Sequence, residues 1–234
     1  MMKEQFERTA GILGEAAVKR LQSARVAVFG IGGVGGYVVE ALVRAGVGAL
    51  DLIDADTVSE SNLNRPIIAL HSTVGQYKTE AAKSRALDIN PDVKITVHNT
   101  FFLPENADLF DFSSYDYVVD AVDTVSAKME LVRRAGAAGV PIISAMGTGN
   151  KLDPTAFRVT DIYKTENCPL ARTVRGLCRR EGIKKLKVVF SPEEPKGTTF
   201  AENGRHAPAS ISFVPAAAGL AIAGAVIRDL CGIS

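Results

Sequence analysis

Residues 25–54 constrain the fold more than any other part of the chain. An apolar run at 26–29 meets the glycine cluster GIGGVG at 30–35, and an apolar helical pattern follows over 33–45. A second apolar run over 49–54 ends on Asp54. Gly30 permits a tight turn, Gly32 and Gly33 present no Cβ to an approaching phosphate, and Gly35 lets a helix pack close to a strand. Backbone N–H groups at the start of that helix face an anion. A carboxylate about twenty residues further on accepts hydrogen bonds from a ribose. Strand, phosphate-cradling turn, helix and strand together make a βαβ nucleotide-binding unit, which commits the chain to a parallel sheet.

The rest of the pattern extends that unit. A helix over 4–22 leads into the strand at 25–29. Strands are expected at 49–54, 93–98, 117–121 and 141–145, and helices at 78–90 and 126–138, with a short helix at 108–112. Gly46 and Gly48 stop the first crossover helix, and Pro91 stops the second. This alternation predicts an α/β, Rossmann-like fold: a mostly parallel sheet with helices on both faces. After residue 150 the spacing changes. A strand at 157–163, a basic helix at 169–181 and a strand at 186–191 precede SPEEPKGTTFAENGRHAPAS (191–210), which reads as a mobile loop. The organisation expected is a nucleotide-binding domain over 1–150 and a smaller C-terminal α/β extension over 151–234, packed on the same core.

Composition excludes several classes. The net charge is only +1, yet residues 172–187 hold seven of the 27 bases (Arg172, Arg175, Arg179, Arg180, Lys184, Lys185 and Lys187) and one of the 26 acids. That asymmetry suggests a polyanion site, the alternative being a solvated helix face. The three cysteines, Cys168, Cys178 and Cys231, include no Cys-x-x-Cys, so a four-cysteine zinc site is excluded. An odd cysteine count behind a charged, amphipathic N-terminus suits a reducing cytoplasm. The apolar stretch 211–227 falls short of the roughly 20 residues of a spanning helix. It is expected to be a buried, closely packed helix, not a membrane anchor.

The polar residues after the second strand decide the chemistry. Asp54 disfavours a 2′-phosphate, leaving NAD, FAD and ATP. Asp56, Asn62, Arg65 and Lys78 then follow. A nicotinamide needs a flat apolar slot, whereas Arg and Lys near β- and γ-phosphates suit nucleotidyl transfer, where charge builds on pyrophosphate. Asp120 and Asp123 lie at the tip of a central strand, where a carboxylate can hold Mg²⁺ against phosphates. Alternatively Arg65 and Lys78 are surface charges and Asp123 caps the next helix. Cys168 reads as a small buried apolar residue more readily than as a nucleophile. His71, His98 and His206 have no metal spacing and are expected in loops or at the surface, with His206 able to meet RNA.

GIGGVG, LIDADTVSESNLNR, VGQYK and DAVDT resemble the ThiF/MoeB/E1 superfamily over nearly the whole chain. The resemblance implies adenylation of a carboxylate by ATP. It implies that the glycine loop (Gly30, Gly32, Gly33, Gly35) touches the phosphates and that Asp54, beside Asp56, binds the ribose. Asn62, Arg65 and Lys78 are then phosphate contacts and Asp123 the Mg²⁺ ligand. Arg8, in FERTAGILG, matches an arginine that reaches the ATP of a partner subunit, which implies a homodimer with two composite sites. MGTGNKLDPTAFRVTDIYKTENCPLARTVR followed by LKVVFSPEEP resembles the tRNA-modifying branch. That branch is expected to activate the carboxylate of N6-threonylcarbamoyladenosine (t6A) at tRNA position 37 and to allow cyclisation to ct6A with loss of water. A tRNA substrate fits the basic 172–187 segment independently. A monovalent cation and a sulfur-transfer partner belong to the same expectation, and zinc does not. The rival within this chemistry is a sulfur-carrier adenylyltransferase acting on a C-terminal Gly-Gly tail; outside it stand an NAD-dependent oxidoreductase and a non-catalytic nucleotide-binding scaffold. Pro66, where relatives usually carry Gln, and Val125, where many carry a polar residue, depart from the pattern.

Overall fold

The structure is a computed structural model that describes residues 3–197, 199–202 and 205–233, with side chains left aside at 200–202 and 205–207. In chain order its elements are α1 (Glu7–Leu13), α2 (Glu15–Ser23), β1 (Arg25–Phe29), α3 (Gly35–Ala45), β2 (Ala49–Ile53), α4 (Lys78–Ile89), β3 (Lys94–His98) and β4 (Tyr117–Asp120). They continue with α5 (Val125–Ala138), β5 (Ile142–Ala145), β6 (Arg158–Asp161), α6 (Pro169–Arg180), β7 (Lys187–Phe190), β8 (Thr199–Glu202), β9 (Arg205–Pro208) and α7 (Phe213–Cys231).

Seven strands form one sheet in the order β3-β2-β1-β4-β5-β7-β6, and β8 and β9 form a separate two-stranded ribbon. All neighbours in the large sheet are parallel except β6, which runs antiparallel to β7. Strand order reverses between β1 and β4, the switch point at which open α/β sheets bind ligands. The register pairs Phe29 with Asp120 there, so the chain leaves both strands side by side at Gly30 and Ala121.

The core follows from alternation along β1. Val26 and Val28 pack with α2, α3, α4 and α7, while Ala27 and Phe29 face a cluster with Phe102, Phe110, Phe112 and α5. Both faces are thus covered, as a parallel sheet requires. Phe29 makes edge contacts with Phe102 and Phe110 and stacks on Phe112. A third cluster lies between α5, α6 and β7 and contains Cys168 and Cys178.

The structure departs from the sequence expectation in four places. Gly14, at φ +84°, breaks the N-terminal helix into α1 and α2. Residues 108–112 straddle two 3-10 helices, Pro104–Leu109 and Phe112–Ser114, rather than forming one helix. The strand expected at 157–163 ends at Asp161, whose carboxylate accepts from Tyr163 N at 2.9 Å and starts a 3-10 turn. Within the expected 191–210 loop, Thr199–Glu202 pairs antiparallel with Arg205–Pro208. Mobility of that loop falls partly on residues 198, 203 and 204, which lie outside the described residues, as does the side chain of His206.

The C-terminal helix α7 runs from Phe213 to Cys231 and is long and apolar enough to cross a membrane by length and composition. Its packing supplies another reason for that composition. A Cβ on Gly219 would stand 2.4 Å from the carbonyl oxygen of Val34 and 2.9 Å from Tyr37 Cβ. Only glycine lets α7 lie that close to the first turn of α3. Pro215 of the same helix packs on Gly33, 3.2 Å from where a Cβ would sit.

Candidate active site

A cavity of about 850 Å³ opens at the switch point. The size falls within the range of small-molecule sites, roughly 300–1,000 Å³. Gly30, Gly32, Gly33, Asp54, Asp56, Asn62, Arg65, Lys78 and Asp123 all line it. Of the expected nucleotide ligands, Gly35 and Arg8 lie elsewhere.

The glycines divide the labour. Gly30 adopts φ +88°, and a Cβ there would stand 2.6 Å from Ala121 O. A Cβ on Gly35 would stand 1.8 Å from Gly30 O, so Gly35 lets α3 start against the strand end. Around Gly32 nothing lies within 4 Å of a Cβ. Its missing side chain serves open space in the cavity, where a ligand can approach the backbone. Gly33 has Pro215 beside it, so its small size also serves the fold.

Asp54 is oriented before any ligand arrives. Its Oδ2 accepts from Ile31 N at 2.7 Å and its Oδ1 from Asp56 N at 2.8 Å. Burial raises its pKa, opposed by the Lys78 charge and by those two N–H donors. Asp56 also reaches the cavity, where its Oδ2 accepts from Lys78 Nζ at 2.6 Å. Asn62 is buried in the 3-10 turn Glu60–Asn62; its Oδ1 accepts from Ser59 N at 3.2 Å. Among the described residues the Arg65 guanidinium donates to neutral oxygens, Ser61 O at 2.9 Å and Asn64 Oδ1 at 3.0 Å. No carboxylate among the described residues pairs with it at the cavity wall. Ile53, Phe101, Phe102, Leu103 and Val122 supply the apolar part of the lining.

The two aspartates at the β4 tip separate sharply. Asp123 is exposed at the cavity and accepts from Thr124 Oγ1 at 3.3 Å. It does not cap α5, whose N-cap residue is Thr124, with no side-chain bond to the helix backbone. Asp120 is fully buried, with both oxygens 3.1 Å from Lys128 Nζ and a further bond from Ser144 Oγ. A carboxylate so occupied, with Val122 N also donating to it, is closed to a metal, which leaves Asp123 as the open carboxylate of the two. Among the described residues no three His, Cys, Asp or Glu side chains form a metal cluster. One free carboxylate fits Mg²⁺ arriving with phosphates, because that ion takes one or two carboxylates and fills its shell with phosphate and water.

The sequence missed Lys128. The signal was present: Lys128 occupies the apolar stripe of α5 with Leu131, Val132 and Ala135, at i, i+3, i+4 and i+7. His98 also differs from its surface expectation. Its Nε2 lies 3.1 Å from Asp51 Oδ2, and Asp51 is bound as well by Arg25 at 2.8 and 3.0 Å. Burial alone would raise the Asp51 pKa; the bonds from His98 and Arg25 overcome it and hold the carboxyl below its ordinary value. His71 is exposed.

The seven bases of 172–187 do not share one task. Arg175 donates to Thr165 O at 2.8 Å and Thr165 Oγ1 at 2.6 Å, and Lys187 pairs with Asp229. Arg179 stands over the Tyr163 ring, 5.7 Å from its centroid. Arg172, Arg180, Lys184 and Lys185 are exposed, and none has an ion pair among the described residues. Cys168 is buried in the third cluster, and burial pushes the Cys178 thiol up to about 11. Arg8 is exposed on α1.

The ThiF family model matches residues 6–234. The chain is 40% identical over 242 residues to the tRNA threonylcarbamoyladenosine dehydratase of Bacillus subtilis (strain 168), spanning 98% of this chain and 95% of that one. It is also similar to the crystal structure of E. coli tRNA N6-threonylcarbamoyladenosine dehydratase, TcdA, in complex with ATP. That likeness has a TM-score of 0.89 and 34% identity, and covers 98% of this chain and 94% of the other. The AMP complex of the same E. coli protein matches with a TM-score of 0.88.

Proposed function

The chain belongs to the ThiF family, and on that premise we propose that it is an ATP-dependent tRNA threonylcarbamoyladenosine dehydratase. It adenylates the carboxylate of t6A at tRNA position 37 and allows cyclisation to ct6A. The observation that carries the reading is the convergence of Asp54, Asn62, Arg65, Lys78 and Asp123 on one cavity at the β1/β4 switch point. The 40% identity to an enzyme of that activity along almost the whole chain supports it.

In this reading the pre-oriented Asp54 carboxylate accepts from the ribose, and the N–H groups at the start of α3 face the phosphates. The t6A carboxylate attacks the α-phosphorus and pyrophosphate leaves. Arg65 and Lys78 neutralise the charge that builds on the leaving oxygens. Asp123 would hold Mg²⁺, which would supply further positive charge against the phosphates. A nucleophile within the same modified base then attacks the acyl-adenylate, closing the ring and releasing AMP. Proximity supplies most of that second step, so no thiolate is required. The burial of Cys168 accords with this.

The finer assignments belong to the same proposal. Arg172, Arg180, Lys184 and Lys185 contact tRNA phosphates, and Arg8 acts in trans within a cytoplasmic homodimer. Mixing R8A and D123A subunits tests the last point: a mixed dimer holds one site with both groups intact and regains activity only if Arg8 crosses the interface. The acceptor is tested by ATP–pyrophosphate exchange. Exchange that depends on t6A-bearing tRNA supports the proposal; exchange that depends instead on a carrier with a Gly-Gly tail replaces it with the sulfur-carrier reading.

A further inference from the structure

Lys128 is fully buried on α5 and lies outside the cavity lining. Its ammonium reaches both strand ends that feed the site. It sits 3.1 Å from each oxygen of Asp120, the last residue of β4, and donates to the carbonyl of Ala145, the last residue of β5, at 2.7 Å. Ser144 closes the cluster, bonded to Asp120 and 3.4 Å from Nζ. The same Asp120 carboxylate accepts from Val122 N at 3.2 Å, fixing the first turn of the segment after β4. That segment carries Ala121, Val122, Asp123 and Thr124 to the cavity, and Thr148 arrives there three residues after Ala145.

A lysine wholly removed from water is costly to keep charged, and hydrophobic residues of similar volume often replace such a pair without loss of stability. Here the charge pair joins two neighbouring strand ends through one nitrogen. Ala121 is also the residue that Gly30 packs against, so displacement of this segment would reach the glycine turn.

We propose that Lys128 is a positioning residue for the adenylation site: through Asp120 and the Ala145 carbonyl it fixes segments 121–124 and 146–148 relative to one another. It thereby places Asp123 and Thr148 for the reaction without touching substrate. The inference rests on the function proposed above.

K128M and the charge-neutral double variant D120N/K128M test it with three readouts. Amide hydrogen exchange in 121–124 and 146–148 of the nucleotide-free protein should rise roughly tenfold in both variants while the rest of the sheet stays protected. AMP binding in EDTA, which uses the glycine turn and Asp54, should change by less than about threefold. Turnover at saturating ATP should fall by roughly a hundredfold, as misplacement of reacting groups produces. The double variant keeps the test alive if K128M fails to fold, because removing both charges leaves no unpaired ion. A purely structural pair predicts that the double variant recovers turnover together with its unfolding temperature. Such recovery, or unchanged exchange in both segments, overturns the proposal. The exchange readout needs no ATP, so a wild-type protein that failed to turn over ATP would remove the proposed function and leave the coupling of the two segments to be decided separately.

Discussion

Lys78 Nζ lies 2.6 Å from Asp56 Oδ2 at the edge of the cavity, the lysine side chain 12% exposed and the aspartate 52%. The cation assigned to phosphate is thus held in place by a carboxylate that solvent reaches. In the proposed function incoming phosphate competes with Asp56 for it. K78A is expected to lower turnover by roughly a hundredfold, the cost of one charge-stabilising donor. D56N should tighten ATP binding by about threefold, since exposed pairs contribute little. Titration calorimetry and initial rates check both. A K78A enzyme with wild-type turnover would remove Lys78 from the charge-neutralising set.

Gly32 and Gly35 should respond oppositely to a single methyl group. A Cβ on Gly35 meets the Gly30 carbonyl oxygen at 1.8 Å, whereas one on Gly32 meets nothing within 4 Å. G35A is expected to cost about 3 kcal/mol, in the range of overpacking. G32A should unfold within about 2 °C of wild type, as a substitution into open space does, and yet bind ATP much more weakly. Thermal unfolding paired with nucleotide titration separates the two, and a stable, tight-binding G32A would place the phosphates elsewhere.

The pH dependence of nucleotide affinity follows from Asp54. Burial raises its pKa, and Lys78 with the two backbone N–H donors only partly offsets the rise. In the proposed function the ionised form accepts from the ribose hydroxyls. Affinity should therefore fall as pH is lowered, beginning above the ordinary aspartate value of 3.8. D54N should bind weakly and show no such dependence. A wild-type affinity flat down to pH 4 would contradict the role given to Asp54.

Four exposed bases and two structural ones separate tRNA binding from stability. Replacing Arg172, Arg180, Lys184 and Lys185 by alanine should reduce the slope of log K against log salt for tRNA by roughly 3–3.6, about 0.7–0.9 for each of the four lost phosphate contacts. Stability should hardly change. R175A loses two hydrogen bonds to Thr165 and should destabilise the protein by about 1–2 kcal/mol. An unchanged salt slope in the fourfold variant makes the segment an ordinary solvated face.

The sheet and the gathering of the glycine turn and Asp54 at one cavity were legible because they rest on local pattern. Apolar runs, helix stops and the GIGGVG spacing each act within a few residues, and β1 was expected at the bounds where it lies. The ribbon of β8 and β9 was overlooked: the stretch is rich in Pro, Gly and charge without clean period-2 alternation, and its one hairpin signal is the Asn-Gly dipeptide at 203–204 in the sequence. The roles of Asp120 and Asp123 could not be separated either. Two carboxylates three positions apart at a strand tip look alike until Lys128, from the facing helix, claims one of them. The division of the basic segment likewise depends on partners outside it, Thr165 just before α6 for Arg175 and the distant Asp229 for Lys187.

The most direct test of the central claim incubates the purified protein with ATP, Mg²⁺ and t6A-bearing tRNA and measures both the tRNA nucleosides, by mass spectrometry, and AMP. The account predicts a nucleoside lighter than t6A by one water, formed together with AMP and lost in D123A. Unchanged t6A and no AMP under these conditions would contradict it.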